Sequence, residues 1–336
     1  MKKDITRAIM DATVDRGLKE INEDPRRSIR KLADLGKQFN NGRFMQDLYA
    51  IFQDLLRNDD SPYYTAIEHL LQNTDRKALK DFGINMGYNG FTKGGKKIRN
   101  FYTKKGLKVP WAIIIRLDPL SRNSITPHDL ISLIAEGKKL GIFSYIITLE
   151  NSLDYLEDLL KVFMTYDDCA FMLNMPDKEM DASISPFVKE CRNVLYFLPV
   201  FDDSIGQNVS ILKREKAWYG LYAHYDENNA ENIISTESTW EYLLQDAAFL
   251  ITIAKDGTDQ SVIDSTTQKI KQTRLEPVVP LFIFDLYGDA AQIQKLISGQ
   301  IFFFEILSDG TLHTSNGIFK QKEGLPDLEK AFAECL

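Results

Sequence analysis

From Val109 onward the sequence alternates between short apolar runs and longer amphipathic segments, and this alternation constrains the fold more than any other feature. The apolar runs are continuous, which is typical of parallel strands buried on both faces. Six or seven strand–helix units follow one another at intervals of about 25–35 residues, which favours a closed or nearly closed barrel over an open sheet. The predicted strands are 111–117, 143–149, 170–173, 194–200, 218–225, 249–254 and 278–286. The predicted helices are 127–140, 153–165, 182–191, 204–216, 239–245 and 260–273.

The chain divides into four regions by pattern and composition. Residues 1–90 carry apolar side chains at helical spacing without a strand pattern, which predicts a bundle of about five helices. The stretch 91–108 is rich in glycine and lysine and is interpreted as a linker. Residues 109–286 form the predicted barrel, and 287–336 form an extension with a β-hairpin around an Asp-Gly turn and a closing helix. The predicted fold class is therefore α/β, a partial or near-complete TIM-like barrel with an N-terminal helical domain.

Charge and cysteine usage exclude several classes of protein. The net charge of −7 favours solubility and argues against general nucleic-acid binding. No apolar run approaches the roughly 18 residues of a membrane span, and the basic N-terminus has no apolar signal region, so we expect a cytoplasmic protein. Cys169, Cys191 and Cys335 are widely spaced without a CxxC pair. This pattern excludes a disulfide framework and a four-thiolate metal site, and it indicates reduced thiols.

Four segments of the chain resemble the radical S-adenosylmethionine (radical SAM) superfamily. They read VPWAIIIRLDP, DLISLIAEGKKLGIFSYIIT, TYDDCAFMLN and FFFEILSDGTLHTSN, and together they span most of the chain from Val109 to the closing helix. The chain looks closest to members with an N-terminal helical region and a cysteine-bearing C-terminal extension. The resemblance implies a CxxxCxxC loop that holds a [4Fe–4S] cluster after the first strand. It also implies a Gly-Gly-Glu-Pro segment that binds the methionine end of the cofactor, and further cysteines in the hairpin for an auxiliary cluster.

The sequence departs from the family pattern at each of these places. The loop after the first strand reads PLSRNSIT without cysteine, and the hairpin has Thr314 and Ser315 where a cysteine is expected. The second loop reads TLENS, so the side chains of Leu149 and Glu150 stand where a glycine pair would let the backbone approach a ligand. The third strand ends in LNMP and keeps only Asn174 of the family's motif. Because the cluster requires thiolate ligands, we expect no [4Fe–4S] cluster and no S-adenosylmethionine binding.

Candidate site residues lie at the C-terminal ends of the predicted strands, where barrels of this type hold their active sites. For acid–base chemistry we single out Glu150, Asp118, His224 and Asp285. Glu150 falls at or beside the family's glutamate, and with Asn174 it is also a candidate ligand contact. The alternative is that these positions are polar because loops meet water, with Asp118 capping its own loop. No two histidines have a short metal-binding spacing, so no metal site is predicted. The wider set of polar strand ends is Asp118, Glu150, Asn174, Asp202, Asp203, His224, Tyr225, Asp256 and Asp285.

The basic stretch 91–108 has two interpretations. Lys93, Lys96, Lys97 and Arg99, with aromatic residues between them, are a candidate site for an anion or for single-stranded nucleic acid. The stretch is equally typical of a solvated linker whose aromatic residues pack on the barrel. The acidic total favours the linker, and TKGGKK lacks the spacing of a phosphate-binding P-loop.

Two functions remain open from the sequence. The first is a radical-SAM-like pseudoenzyme that acts as a binding or interaction protein, with an unknown small-molecule or protein partner such as a catalytically complete relative or its substrate. The loss of several motifs together favours this function. The second is a barrel enzyme of hydrolase or lyase type that uses the carboxylates at the strand ends.

Overall fold

The computed structural model describes residues 5–20, 26–27, 30, 53, 55–200, 205–235, 247–275, 281–320 and 325–336. Most of two helices expected within 23–56, the helix expected at 239–245, and the candidates Asp202 and Asp203 lie outside the described residues.

Ten strands form a single curled sheet. They are β1 (Ala112–Leu117), β2 (Ser144–Leu149), β3 (Ala170–Asn174), β4 (Val194–Pro199), β5 (Tyr219–Tyr225), β6 (Phe249–Ala254), β7 (Phe282–Asp285), β8 (Phe304–Ile306), β9 (Leu312–Thr314) and β10 (Gly317–Phe319). Their order is β10-β9-β8-β1-β2-β3-β4-β5-β6-β7, and β1 to β8 run parallel. Among the described residues β7 does not pair with β8, so the barrel is open at that seam. The predicted partial barrel is confirmed.

The C-terminal hairpin is confirmed as well, and it extends the barrel. The turn at Asp309 and Gly310 joins β8 to the antiparallel β9, with Gly310 at φ +83°. Strand β8 pairs in parallel with β1, where Glu305 lies opposite Ile114. The extension therefore supplies a wall of the barrel.

The helices of the barrel follow the expected pattern on the outer face of the sheet. Helix α5 shows why they form: Thr126 and Asp129 make a reciprocal capping box around Pro127, and the helix ends at Gly141 with φ +109°. The described helices are α1 (Ile5–Glu20), α2 (Pro62–Asn73), α3 (Arg76–Ile84), a π-helix (Asn85–Gly94), α4 (Gly95–Lys105), α5 (Pro127–Leu140), α6 (Leu156–Thr165), a 3₁₀ turn (Ala182–Ile184), α7 (Ser185–Glu190), α8 (Ile205–Arg214), α9 (Ala230–Ser235), α10 (Gln260–Leu275), α11 (Leu286–Ser298) and α12 (Leu328–Cys335).

Alternate residues of each strand enter two different cores. On β1, Ile113 and Ile115 pack under the outer helices, whereas Ile114 faces the barrel interior with Ile146 and Ile251. Because every second residue of a strand faces the same side, the residue two positions after Ile114 also faces inward, and it is polar. The corresponding inward positions of β2, β3 and β5 are polar as well. A polar layer therefore lies above an apolar barrel core, at the C-terminal ends of the strands. These inward polar residues are Arg116, Thr148, Asn174 and His224.

The N-terminal helices form the floor of the barrel. Phe82 of α3 enters the interior core, where its ring meets Trp218 edge-on at 4.9 Å between centroids. Asn85 of the π-helix donates hydrogen bonds to the carbonyls of Asp167 and Cys169, at 2.7 and 2.9 Å, just before β3. The stretch 91–108, interpreted above as a linker, is instead helical as far as Lys105.

The glycines of this stretch are needed for close packing. A Cβ atom on Gly94 would lie 2.2 Å from the carbonyl oxygen of Gly141. Relieving this overlap would require a shift of the backbone of one of the two segments. We expect Gly94→Ala to lower the free energy of unfolding by about 3 kcal/mol in urea titrations. Gly87→Ala in the same π-helix, where nothing lies within 4 Å, is the matched control and should change it by less than about 1 kcal/mol. Equal effects of the two substitutions would contradict this explanation.

Candidate functional site

A cavity of about 470 Å³ opens at the C-terminal ends of the strands. Its walls combine apolar side chains, among them Ile253 and Leu286, with charged ones. We call this cavity the barrel mouth. It is the place where the strand-end candidates were expected to meet.

Arg116 is held in the mouth by four hydrogen bonds. Its Nε donates to Glu305 Oε1 at 2.8 Å, while Nη1 and Nη2 donate to the two carboxylate oxygens of Asp256 at 2.8 and 3.0 Å. Nη2 also donates to the hydroxyl of Tyr287 at 3.0 Å. Burial by itself would lower the pKa of Arg116, but the bonds to Asp256 and the carboxylate of Glu305 raise it above the ordinary arginine value. The guanidinium is therefore a permanently charged and fixed wall of the mouth.

Glu305 brings the C-terminal extension into the same network. Its side chain is 1% exposed. Besides Arg116, it accepts hydrogen bonds from the hydroxyl of Tyr287, 3.1 Å from each carboxylate oxygen, and lies 2.6 Å from His313 Nδ1. A buried carboxylate is stable only when its oxygens are paired. Here the three side chains of Arg116, Tyr287 and His313 pair with the oxygens of Glu305.

Glu150 differs from Glu305 because its carboxyl group is partly exposed and has only a distant ionic contact with Arg116. Its Oε1 lies 4.0 Å from Arg116 Nη1, and no donor in the described part of the chain hydrogen-bonds to either oxygen. The side chain is half-buried at the end of β2. Burial raises the pKa of Glu150 above its usual range, Arg116 opposes this, and the carboxylates of Asp118, Asp256 and Glu305 add to it. Glu150 is the acidic group best placed to contact a ligand.

His224 also faces the mouth, from the end of β5. Its ring meets that of Tyr222 edge-on, with 5.4 Å between centroids. Partial desolvation lowers the pKa of His224, and the cations of Arg116 and Lys255 lower it further. The neutral imidazole is therefore favoured at physiological pH.

The other two acid–base candidates lie elsewhere and stabilise the backbone. Asp118 accepts a hydrogen bond from the backbone nitrogen of Leu120 at 3.0 Å, so it caps its own loop, as one of the two interpretations held. Asp285 is buried at the start of α11, where it bonds to the backbone of Gly288 and to the hydroxyl of Thr267. The structure thus brings Glu150 and His224 to the mouth and leaves Asp118 and Asp285 as capping residues.

Asn174 is wholly buried at the end of β3. Its Nδ2 donates to the hydroxyl of Thr148, a mouth residue, at 3.0 Å, and its Oδ1 has no partner among the described residues. As placed, Asn174 orients Thr148 rather than lining the cavity itself.

The sequence interpretation missed Arg116 and Glu305. Each is the single charged residue of an apolar run, AIIIRL on β1 and FFFEIL at β8. An isolated charge at an inward strand position has to find a partner, and that signal was present in the sequence. What the sequence did not contain was the pairing of β8 with β1, which brings the two charges together.

The cysteines lie away from the mouth. Cys169 and Cys191 are buried just before β3 and β4, at the opposite end of the sheet, and Cys335 is buried in α12. The chemistry of the mouth residues, carboxylates, guanidinium, imidazole and hydroxyls, does not fit an iron–sulfur cluster, which takes thiolate ligands. Among the described residues, no group of three or more His, Cys, Asp or Glu side chains is arranged to hold a metal ion. None of the described helices is long and apolar enough to cross a membrane.

The basic candidates lie under the barrel, far from the mouth. Lys97 donates to the carbonyl of Lys138 at 3.0 Å, and Arg99 donates to that of Ile297 at 3.0 Å, so each binds the C-terminal turn of a neighbouring helix. Lys93 and Lys97 also lie over the ring of Phe143, at 6.0 and 5.8 Å from its centroid. Lys96 is exposed.

Comparison with known proteins gives matches only at the level of structure. No protein-family model and no curated protein matches this chain. Streptococcus suis SuiB bound to S-adenosylmethionine is similar over 70% of this chain and 67% of the SuiB chain, with a TM-score of 0.48 and 12% identity. The protein anSMEcpe with bound S-adenosylmethionine is similar over 67% of this chain and 83% of its own, with a TM-score of 0.41 and 12% identity.

A third similar structure is 3-dehydroquinate dehydratase from Geobacillus kaustophilus, over 66% of this chain and 90% of that enzyme, with a TM-score of 0.38 and 9% identity. At these identities the similarity concerns the fold alone.

The raised pKa of Glu150 has a measurable effect on stability. A carboxyl group whose pKa is higher in the folded than in the unfolded state weakens folding as the pH rises through that interval. We expect Glu150→Gln to be more stable than the wild type at neutral pH, by on the order of 1 kcal/mol, with no difference below the pKa of unfolded glutamate. Urea titrations at several pH values check this. Glu157→Gln, on the exposed face of α6, should show no such pH-dependent gain; a similar gain there would contradict the explanation.

Proposed function

We propose that this chain is a ligand-binding protein built on a radical-SAM-like barrel, without iron–sulfur chemistry. In this proposal it holds a small polar molecule in the barrel mouth and works in the cytoplasm as a binding or interaction protein, alone or beside a protein partner. The observation that carries the proposal is Glu150, a half-buried carboxyl group in an open cavity with no hydrogen-bond donor among the described residues.

The cavity supports this proposal by its size and lining. Small-molecule sites usually enclose about 300–1,000 Å³ and combine apolar walls with a few fixed polar groups. Here Tyr222, Ile253 and Leu286 supply the apolar walls, and the fixed guanidinium of Arg116 supplies charge. A ligand that donates a hydrogen bond to Glu150 would bind a half-buried carboxyl group whose ionic partner, Arg116, lies 4.0 Å away.

The loop after β1 supports the absence of cluster chemistry. Ser124 Oγ accepts a hydrogen bond from the backbone nitrogen of Asp118 at 2.8 Å, which closes the loop on itself. The backbone nitrogen of Ile125 donates to the carbonyl of Ser308 at 2.9 Å, which ties the loop to the C-terminal extension. A short, tied loop without cysteine offers neither the ligands nor the length of a cluster-binding loop.

Ligand-observed NMR with a panel of amines, amides and polyols tests the binding function. We expect at least one class to bind, with affinity falling about tenfold in Glu150→Gln because a charge-assisted hydrogen bond is lost. Lys104→Gln, an exposed substitution on α4, is the control and should bind as the wild type does. The proposal fails if no compound binds, or if binding does not depend on Glu150.

A second candidate function is acid–base catalysis of hydrolase or lyase type. The observation that favours it is that burial raises the pKa of Glu150 and lowers that of His224 within one cavity. A carboxyl group with a raised pKa can donate a proton, and a neutral imidazole can accept one, at physiological pH. Each bound compound should therefore be followed for conversion. Turnover that disappears in His224→Gln, with binding retained, would favour the enzyme over the binding protein.

A further inference from the structure

A second cleft lies at the opposite end of the barrel from the mouth. It has a volume of about 240 Å³ and is bounded by the start of α3, the end of α7, the start of β4 and the turn after α8. Four basic and two acidic side chains line it, a net charge of +2 in a chain whose total is −7. They are Lys189, Arg192, Arg214, Lys216, Asp75 and Glu215.

The two acidic side chains already have partners. Glu215 pairs with Arg214, whose Nε donates to its Oε1 at 2.9 Å, and Arg214 also bonds to Ser185. Asp75 caps α3 and accepts hydrogen bonds from the backbone nitrogens of Lys77 and Ala78, at 2.9 and 3.0 Å.

Three cations therefore remain for another partner. Among the described residues Lys189, Arg192 and Lys216 form no ion pair within 4.0 Å with an acidic group.

The helix ends beside the cleft do not use these cations as caps. After α8 the backbone nitrogen of Ala217 bonds to the carbonyl of Leu212 at 2.9 Å, with Lys216 in the left-handed conformation at φ +51°. After α7 the nitrogen of Cys191 bonds to the carbonyl of Phe187 at 3.0 Å. Turns of this kind satisfy the last carbonyls of a helix through the backbone. The side chains of Lys189, Arg192 and Lys216 thus remain available for a ligand.

Trp218 lies between the cleft and the barrel floor. It borders the cleft, and its ring packs against those of Phe82 and Phe249, with 4.9 and 5.7 Å between centroids. Its indole can therefore report on occupation of the cleft.

We propose that this cleft binds a small oxyanion, either free phosphate or the phosphate group of a small molecule. Arg192 presents a planar fork that suits two phosphate oxygens, and Lys189 and Lys216 supply point charges. The site is separate from the barrel mouth and does not depend on the function proposed for it. Because Trp218 also touches Phe82 in the barrel floor, occupation of the cleft is expected to change tryptophan fluorescence.

Isothermal titration with inorganic phosphate at low ionic strength tests this site, and a second titration with glycerol phosphate distinguishes the free anion from a phosphate ester. We expect binding in the millimolar range or tighter, weakened by added salt. Arg192→Gln should weaken it about tenfold.

Two controls accompany this titration. Lys104→Gln and Glu150→Gln should bind phosphate as the wild type does, which keeps the result independent of the mouth. Lys216→Gln replaces Arg192→Gln if the latter fails to fold by circular dichroism. The proposal is overturned if neither anion binds at millimolar concentration, or if the cleft variants bind like the wild type.

Discussion

Glu305→Ala is expected to lower the free energy of unfolding by about 3–5 kcal/mol, measured in urea. The side chain is 1% exposed, accepts hydrogen bonds from Arg116 and Tyr287, and contacts His313. Its removal leaves three polar groups at the wall of the barrel without a shared acceptor, and Arg116 loses its most buried counter-charge. Because this carboxylate of β8 contacts Arg116 of β1 and His313 of β9, in addition to the backbone pairing of these strands, this part of the sheet should loosen without it.

Asp256→Asn separates the effect of burial from that of charge. Asp256 binds the same guanidinium through two hydrogen bonds, but its side chain is 72% exposed. Exposed ion pairs contribute little, so the expected loss is below about 1 kcal/mol. Equal losses for the two carboxylates would show that the buried network with Glu305 does not stabilise the barrel edge as described.

Phe82→Ala is expected to have an effect of similar size, about 3–5 kcal/mol, because it removes a buried ring from the barrel interior. Phe82 is 4% exposed and packs in the interior core that contains Ile114 and Leu195. We expect the loss to appear as one cooperative transition, since Phe82 joins α3 to the core of the barrel interior.

Urea unfolding followed by both circular dichroism and fluorescence measures this effect. Phe101→Ala is the control, since Phe101 of α4 is only half-buried, and it should cost less than half as much. Separate transitions for the helical signal and the barrel signal would instead support an independent N-terminal domain, the division expected from the sequence.

The barrel was predictable because its strands are continuous apolar runs, a local pattern that survives in any packing. The hairpin was predictable for a similar reason, since an Asp-Gly turn between apolar runs specifies it locally. The stretch 91–108 was misleading: its glycines are typical of a linker, but Gly94 is there because a helix packs against the backbone of Gly141. Close packing between distant segments leaves no local signal.

The residues of the candidate site were predictable where their position at the C-terminal end of a strand is enough to place them. Glu150 and His224 follow from their positions at the ends of β2 and β5, and the structure places both at the mouth. Arg116 and Glu305 were missed because their pairing depends on which strands are neighbours. Asp285 was singled out by the same strand-end rule, but its side chain caps a helix instead.

Anaerobic reconstitution of the purified chain with iron and sulfide, followed by calorimetric titration with S-adenosylmethionine, tests whether iron–sulfur chemistry is absent. The structure places no thiolate at the barrel mouth, so we expect no stable cluster after desalting, no heat of cofactor binding and no cofactor cleavage. A radical SAM enzyme with its cluster cysteines, treated in parallel, is the positive control. A stable cluster that cleaves S-adenosylmethionine in this chain would contradict the proposed function.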